Sequence, residues 1–328
     1  VTLRRTPLIG LAAASLLLAG CGLAKSDEES SAPVAENFPV TVTNCGAEVA
    51  FDRAPERVVM LKSAAVPYLA SLGVLDRVVA RGGEYPRAYY DDETWAALER
   101  IPALTGKTDA SGHLLISKEV VIDQEPDLVL GEVDNLNRDT LGAARIPLLE
   151  EPAMCAEGLA EPGYDDVADQ LRTYGEVFDR PEQAAAAVAK LEKQVADLSA
   201  SPEKKRTAAV LFPTVGGGVT YAYGTKSMAQ PQLEAAGFTN VFEDTAERVF
   251  EVTLEELLER NPDVLILLHS TDDPDAVAQT ITDLPGAGSL TAVRNDDVMP
   301  LLFNFVEPPS PLNVRGLELI RERFGDDG

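Results

Sequence analysis

The chain has 328 residues, 28 Lys and Arg against 54 Asp and Glu, and a formal net charge of -26. That acidity excludes nucleic acid as a partner, because phosphate binding needs clustered cations, and it bears on solubility rather than fold. With 45% hydrophobic content the chain has length and apolar material for two domains of ordinary size.

The first residues read as signals rather than as folded structure. Arg4 and Arg5 form a basic region, and 8–19 is a short apolar run that stops at Leu18-Ala19-Gly20-Cys21. At roughly 12 residues it is too short for a spanning helix, which needs about 20, and it fits the apolar part of a secretory signal. Small residues followed directly by Cys resemble a bacterial lipobox, in which the cysteine is lipidated and becomes the new N-terminus. The expectation is a signal peptide over 1–20 with lipidation at Cys21. An ordinary signal peptide with a chance Cys, or a short membrane anchor, is the alternative. Residues 21–37 are rich in Ser, Ala, Glu, Asp and Pro, lack an apolar period, and predict a flexible tether.

From residue 38 strands and helices alternate. The β-branched run 57–61 predicts a buried strand, 64–72 a helix ended by Gly73, and 77–81 a strand closed by Gly82-Gly83. Residues 119–124 predict a helix stopped before Pro126, 128–130 a strand, 138–144 a helix and 146–149 a strand. Val167, Leu171, Tyr174 and Phe178, then Val188, Leu191, Val195 and Leu198, keep helical spacing. Pro181 between them begins a second helix or kinks a continuous one. A helix over 181–198 is about 27 Å long at 1.5 Å per residue, the length of a stiff strut. A second round follows: strand 208–212, Gly-rich loop 213–224, helices 228–236 and 254–259, strands 264–268 and 298–302, and an amphipathic helix over 314–324. The alternation predicts an α/β chain with two Rossmann-like lobes and mainly parallel sheets. The lobes are expected over 38–163 and 201–328, with a connecting helical segment over 164–200.

Three Cys need assignment. If Cys21 carries lipid, Cys45 and Cys155 remain, and because an exported chain is in a disulfide-permissive compartment the expectation is a disulfide between them. Two free thiols or two metal ligands are the rival reading, although no CxxC spacing or nearby His supports zinc.

One motif occurs twice. Glu119 is followed after six residues by Pro126-Asp127 and an apolar run, and Glu255 after six residues by Pro262-Asp263 and an apolar run. All three positions share an offset of 136 residues, too long for a solenoid repeat and suited to two similar lobes with a cleft between them. With the opening Pro55-Glu56-Arg57-Val58-Val59, these motifs make the chain resemble class III substrate-binding proteins of ABC-type importers, the group that serves ferric siderophores, cobalamin and haem. The resemblance runs from about residue 38 to the C-terminus. It implies two α/β lobes joined by one long rigid helix, with the ligand held between them.

The resemblance also implies that Glu119 and Glu255 dock into Arg pockets on the two permease subunits. A carboxylate on each lobe can pair with an Arg fork. The plainer reading is that each Glu only favours its helix dipole.

Ligands of open α/β sheets sit beyond the carboxyl ends of the strands. That selects 62–63, 82–85 and 131–134 in the first lobe and 216–226, 269–271 and 303–307 in the second; family analogy adds 105–113. Within them Tyr85, Tyr221, Tyr223, Phe303 and Phe305 are candidates to stack on a chelate or macrocycle, and Lys62, Arg81, Lys107 and Lys226 to neutralise an anionic ferric complex. Packed aromatics and solvated bases are the alternative. With two His in the chain, His113 and His269, a protein-built metal site is not expected and no cofactor is implied.

The enzyme reading is thin. Gly106-Lys107-Thr108 has Ile101 where a P-loop needs its first Gly, and there is neither a Gly-x-Ser-x-Gly elbow nor a His-Glu-x-x-His pair. The expectation is a monomeric, extracytoplasmic lipoprotein, held to the outer face of the cell membrane only through Cys21. It captures a ferric siderophore and presents it to the permease of an ABC importer. The alternatives are a cobalamin or haem carrier of the same class, or a lipid-anchored enzyme acting on a metal chelate.

Overall fold

The computed structural model describes residues 37–108, 114–202, 205–270 and 273–325. The signal peptide, Cys21, all but the last residue of the tether, His113 and Thr271 lie outside them.

The folded chain starts with a hairpin, β1 (Val40–Asn44) and β2 (Ala47–Phe51), turned by Cys45 and Gly46, both at positive φ. Two such residues suit the tight turn whose twist matches the flanking strands. Val42, Asn44, Val49 and Phe51 face inward. Cys45 and Cys155 are joined by a disulfide with an S–S distance of 2.05 Å. Beside it the Asn44 side chain donates to the Glu150 carbonyl at 2.8 Å and accepts the Glu150 amide at 2.9 Å. The hairpin is thus fastened to the loop after the last strand of the first sheet.

That sheet holds β3 (Val58–Met60), β4 (Val78–Gly82), β5 (Ala103–Thr105), β6 (Leu128–Leu130) and β7 (Leu148–Leu149), in the order β5-β4-β3-β6-β7, all parallel. Its intervening helices are α1 (Val66–Leu72), α2 (Asp92–Arg100), α3 (Lys118–Ile122) and α4 (Arg138–Gly142). Val58, Met60, Leu128 and Leu130 pack into one apolar cluster and Val59 and Val129 into another. The strands are therefore covered on both faces, as parallel sheets require.

The helical stretch after this lobe is two helices, α5 (Tyr164–Val177) and α6 (Pro181–Leu198). Pro181 starts the second helix rather than kinking one rod, and Asp179 at φ 54 turns the chain back. The two pack closely at Gly175, where a Cβ would lie 2.5 Å from that of Ala184. Arg172 on α5 reaches Glu192 on α6 at 3.8 Å. Of the pair, α6 touches α1 on one side and, on the other, α7 (Ala229–Ala236) and α11 (Leu312–Phe324) of the second lobe. The strut is α6.

The second sheet contains β8 (Arg206–Pro213), β9 (Thr220–Tyr223), β10 (Phe238–Asn240), β11 (Val249–Val252), β12 (Val264–His269) and β13 (Val298–Leu302). Its path is β11-β9-β8-β12-β13, and β10 also pairs with β8. Helices α8 (Leu254–Arg260), α9 (Pro274–Thr282) and α10 (Thr291–Arg294) complete the lobe. The centre repeats the first lobe, with β12 parallel to β8 and β13. The edge does not: β9 pairs antiparallel with the last residues of β8, and β10 pairs parallel with the first.

The repeated motif has a structural half. Asp127 accepts the amides of Glu56 (3.0 Å) and Arg57 (2.8 Å), tying the start of β6 to the start of β3. Asp263 accepts the Thr207 amide (2.9 Å) and hydroxyl (3.1 Å), tying β12 to β8. Each Pro-Asp is a latch between the two central strands of its sheet.

Candidate ligand cleft and docking faces

In both sheets the strand order reverses at the centre, between β3 and β6 and between β8 and β12. The carboxyl ends of these strands are where an open α/β sheet receives a ligand. In the first lobe Lys62 follows β3, and its Nζ lies 2.5 Å from Glu150 Oε2. Glu150 is buried and also accepts the amides of Glu132 (2.7 Å) and Glu151 (2.6 Å). Lys62 therefore enters the cleft edge as one half of an ion pair.

Neighbouring Glu151 is buried too; one oxygen accepts from the Tyr174 hydroxyl at 3.4 Å and the other has no hydrogen bond. Burial, with the Glu150 charge adding to it, pushes this carboxyl up to about 8, against weaker pulls from Lys62 and Tyr174. A carboxyl raised in the fold binds its proton more tightly there than in the unfolded chain. Its contribution to stability is full below the ordinary carboxylate value and is lost as pH rises through about 8. Stability should fall across that window with a slope of up to about 1.4 kcal/mol per pH unit. Urea unfolding at several pH values should show a flatter profile for Glu151→Gln; parallel profiles would refute this assignment.

Two tyrosines of the first lobe cross to the second. Tyr68 donates to the Pro309 carbonyl at 3.0 Å, and the Tyr89 hydroxyl accepts the Asn304 amide at 3.0 Å. The Tyr89 ring meets Phe305 edge-on at 5.1 Å. These contacts join the two lobes. They went unseen in the sequence, where neither tyrosine carries a distinguishing pattern.

Arg81, half-buried at the end of β4, lies over the Tyr85 ring at 4.9 Å, and its buried Nε makes no hydrogen bond. Tyr85 is itself buried, with its hydroxyl aimed at the Met60 and Gly82 carbonyls. Lys107 is exposed on a loop whose continuation is outside the described residues. Across the cleft Tyr221 is exposed beside Phe212, and Phe303 is half-buried edge-on to Phe212 at 5.9 Å. Phe305 is buried.

The segment 216–226 needs correction, because it is not a single loop. β9 runs back antiparallel and carries Tyr223 and Lys226 away from the carboxyl edge. Tyr223 is buried, and Lys226 lines a separate open recess of about 470 Å3 with Glu161 and Glu234. Of the ring candidates at the cleft, Tyr221 and Phe303 reach solvent, whereas Tyr85 and Phe305 are buried. His269 is buried at the end of β12. Among the described residues no group of three or more His, Cys, Asp or Glu is placed to hold a metal ion.

The second lobe has its own buried carboxylate, Glu307, fully enclosed. It accepts the Met228 amide at 2.6 Å and Arg248 Nη2 and Nε at 2.7 and 2.8 Å. Burial outweighs these partners and leaves its carboxyl above the ordinary range. The sequence selects the loop 303–307 because it lies beyond the carboxyl end of a strand; nothing there marks Glu307 as buried.

Glu119 and Glu255 occupy the same place in their lobes. Each is the second residue of a short helix, capped by Ser117 in α3 and by Thr253 in α8. Both are exposed. Glu256 is drawn to Arg260 at 3.4 Å, which leaves Glu255 as the outward partner of Glu119. A positive-φ residue stands immediately before each proline, Glu125 in the turn after α3 and Asn261 at the end of α8.

Comparison with known proteins fits this architecture. Residues 58–302 match the family described as periplasmic binding protein. A solved structure described as an ABC-type Fe3+-hydroxamate transport system, from Saccharomonospora viridis, is 57% identical with a TM-score of 0.83, covering 88% of this chain and 99% of that one. A periplasmic heme-binding protein from Roseiflexus, 20% identical with a TM-score of 0.66, covers 83% and 98%, a likeness of fold. A cobalamin-binding protein from Halobacterium salinarum is 25% identical over 308 residues, 90% of this chain and 77% of that protein.

Proposed function

This chain belongs to the periplasmic binding protein family, and from that premise we propose that it captures a ferric siderophore of the hydroxamate class and delivers it to the permease of an ABC importer. The family works outside the cytoplasm as substrate-binding components of transport, and among the described residues no helix is long and apolar enough to cross a membrane. In this reading residues 1–20 are a signal peptide, Cys21 carries lipid, and the tether 21–37 holds lobes 38–163 and 201–328, joined through 164–200, at the outer face of the cell membrane. The ligand sits between Arg81 and Lys107 on one side and Tyr221 and Phe303 on the other. The carrying observation is 57% identity along nearly the whole of a protein named for Fe3+-hydroxamate transport. Cobalamin is the second reading, on the strength of the Halobacterium relative.

The test is a thermal-shift panel on protein starting after Cys21. It compares ferric hydroxamates and ferric catecholates with their iron-free forms, haemin and cobalamin. A ligand at 100 times its dissociation constant stabilises by about 2.7 kcal/mol, a rise of several degrees at this size. A rise with ferric hydroxamates and not with the iron-free forms is the expected result. A rise with cobalamin alone would replace the substrate, and no rise with any compound would sink the reading.

A further inference from the structure

The Lys62–Glu150 pair sits at the switch point of the first sheet, where β3 and β6 lie side by side. The Lys62 stem lies across Gly131 at the end of β6, where a Cβ would come 3.0 Å from Lys62 Cγ. The lysine side chain is 32% exposed and the glutamate side chain 3%. The ammonium thus opens on the cleft edge, and the carboxylate backs it from the interior. Glu150 is also clamped. Asn44 holds its backbone N–H and carbonyl, and Arg138 holds Asn44 in turn, donating to its carbonyl at 3.1 Å and its Oδ1 at 3.0 Å. The disulfide Cys45–Cys155 closes the same corner. Asn44 and Cys45 belong to the hairpin β1–β2, which precedes the residues 58–302 matched to the family.

Positive charge at this edge has no surplus. Lys62, Arg81 and Lys107 are the cations. Glu150 offsets the first of them, and Glu84, Glu132 and Asp134 are exposed on the loops after β4 and β6. Tyr221, Phe303 and Asn304, at the edge of the second lobe, carry no charge. A cleft that draws in a polyanion needs positive potential at its mouth, and enclosing anionic groups without paired cations costs affinity. Lys62 still has N–H groups that Glu150 does not use, so it can donate to a ligand oxygen.

Resting on the carrier role, we propose that Glu150 sets the charge of the cargo. By holding Lys62 as a donor whose charge is balanced from behind, it makes the cleft take an uncharged or cationic ferric complex and reject a polyanionic one. Glu150 touches no ligand; it is a positioning residue that acts through Lys62 and through its own field. A ferric trihydroxamate is uncharged, because each hydroxamate is a monoanion, and an added amine makes it cationic. A ferric tricatecholate is a trianion. The pair therefore separates the two chemistries by charge, before any contact with the donor groups themselves.

The test is calorimetric titration of the full-length chain in detergent with ferrichrome, which is uncharged, ferrioxamine B, which is cationic, and ferric enterobactin, a trianion. The parent should bind the trianion weakest. Glu150→Gln leaves Lys62 unbalanced and should raise affinity for the trianion, relative to the uncharged complex, by about tenfold. Lys62→Gln leaves the carboxylate unbalanced and should shift the ratio the other way, towards the cationic complex. Lys62 is part-exposed, so its variant decides the question alone if Glu150→Gln does not fold. Equal weakening of all three complexes in the folded variants would make the pair purely structural and overturn the inference. A parent that prefers the trianion would also overturn it, with the carrier role intact. A parent that binds none of the three would end the carrier role and the inference with it.

Discussion

A Glu119→Ala, Glu255→Ala variant should bind its ligand as the parent does and support almost no uptake. Both carboxylates are exposed on short capped helices, on the segments leading into β6 and β12 rather than at the cleft edge. Removing them therefore touches neither the cleft nor the core. At the permease each would pair with a guanidinium, and truncating one member of such an interfacial pair costs about 2–5 kcal/mol. At the lower bound that is roughly a 30-fold loss of affinity for each substitution, and the two together should reduce uptake to background. Substrate uptake in cells and equilibrium binding on purified protein give the two readouts. Full uptake by the double variant would remove the docking role, and lost ligand binding would move these residues into the fold or the cleft. Glu256→Ala is the control, because Glu256 is turned towards Arg260.

The second large effect is on stability, at Glu307. Glu307→Ala leaves the Met228 amide and the Arg248 guanidinium without their acceptor in a closed interior. Breaking a buried pair from one side typically costs about 3–5 kcal/mol. Arg248 is part-exposed, with 28% of its side chain in solvent, so about 3 kcal/mol is the better expectation. Glu307→Gln should behave differently. It keeps the shape and an acceptor for Met228, and it removes a charge whose desolvation already outweighs its pairing. Urea unfolding should place the Gln variant near the parent and the Ala variant well below it. Equal losses in both would show that shape, and not the unpaired donors, sets the cost.

Much of the architecture was legible in the chain. The apolar runs at 57–61, 128–130, 208–212 and 264–268 are the central strands of the two sheets, because strands covered on both faces need uninterrupted apolar side chains. The repeated Glu and Pro-Asp positions were legible because the same latch is built in both lobes. What escaped is the return of the chain at β9: Thr220-Tyr-Ala-Tyr223 lies inside a stretch dominated by glycine, and an edge strand is defined by pairing more than by composition. The hairpin β1–β2 does carry a period-2 signal, Val40 and Val42 against Val49 and Phe51, but only its pairing shows that it caps the first lobe.

The charged interior of the site was not legible. Lys62 meets Glu150 across 88 residues of sequence, and Arg248 meets Glu307 across 59. The bonds between lobes, Tyr68 to Pro309 and Asn304 to Tyr89, span 241 and 215 residues. Burial of a charge depends on what folding brings to it, and no local pattern reports that. The burial of Tyr85, Tyr223 and Phe305 has the same origin.

The Pro-Asp latches also shape how the chain reaches its fold. Asp127 must find an amide 70 residues earlier, and Asp263 one 56 residues earlier. Before those bonds form, the pairing of β3 with β6 and of β8 with β12 has nothing nearby in sequence to hold it. Local pairs can meet early: the hairpin β1–β2, the return of β8 into β9, and the helices α5 and α6, which are separated by a three-residue turn. A topology dominated by such distant pairings folds slowly, on a scale of milliseconds to seconds or longer. Each lobe is therefore expected to stay open to chaperones and proteases until its latch closes, and to become protected all at once when it does.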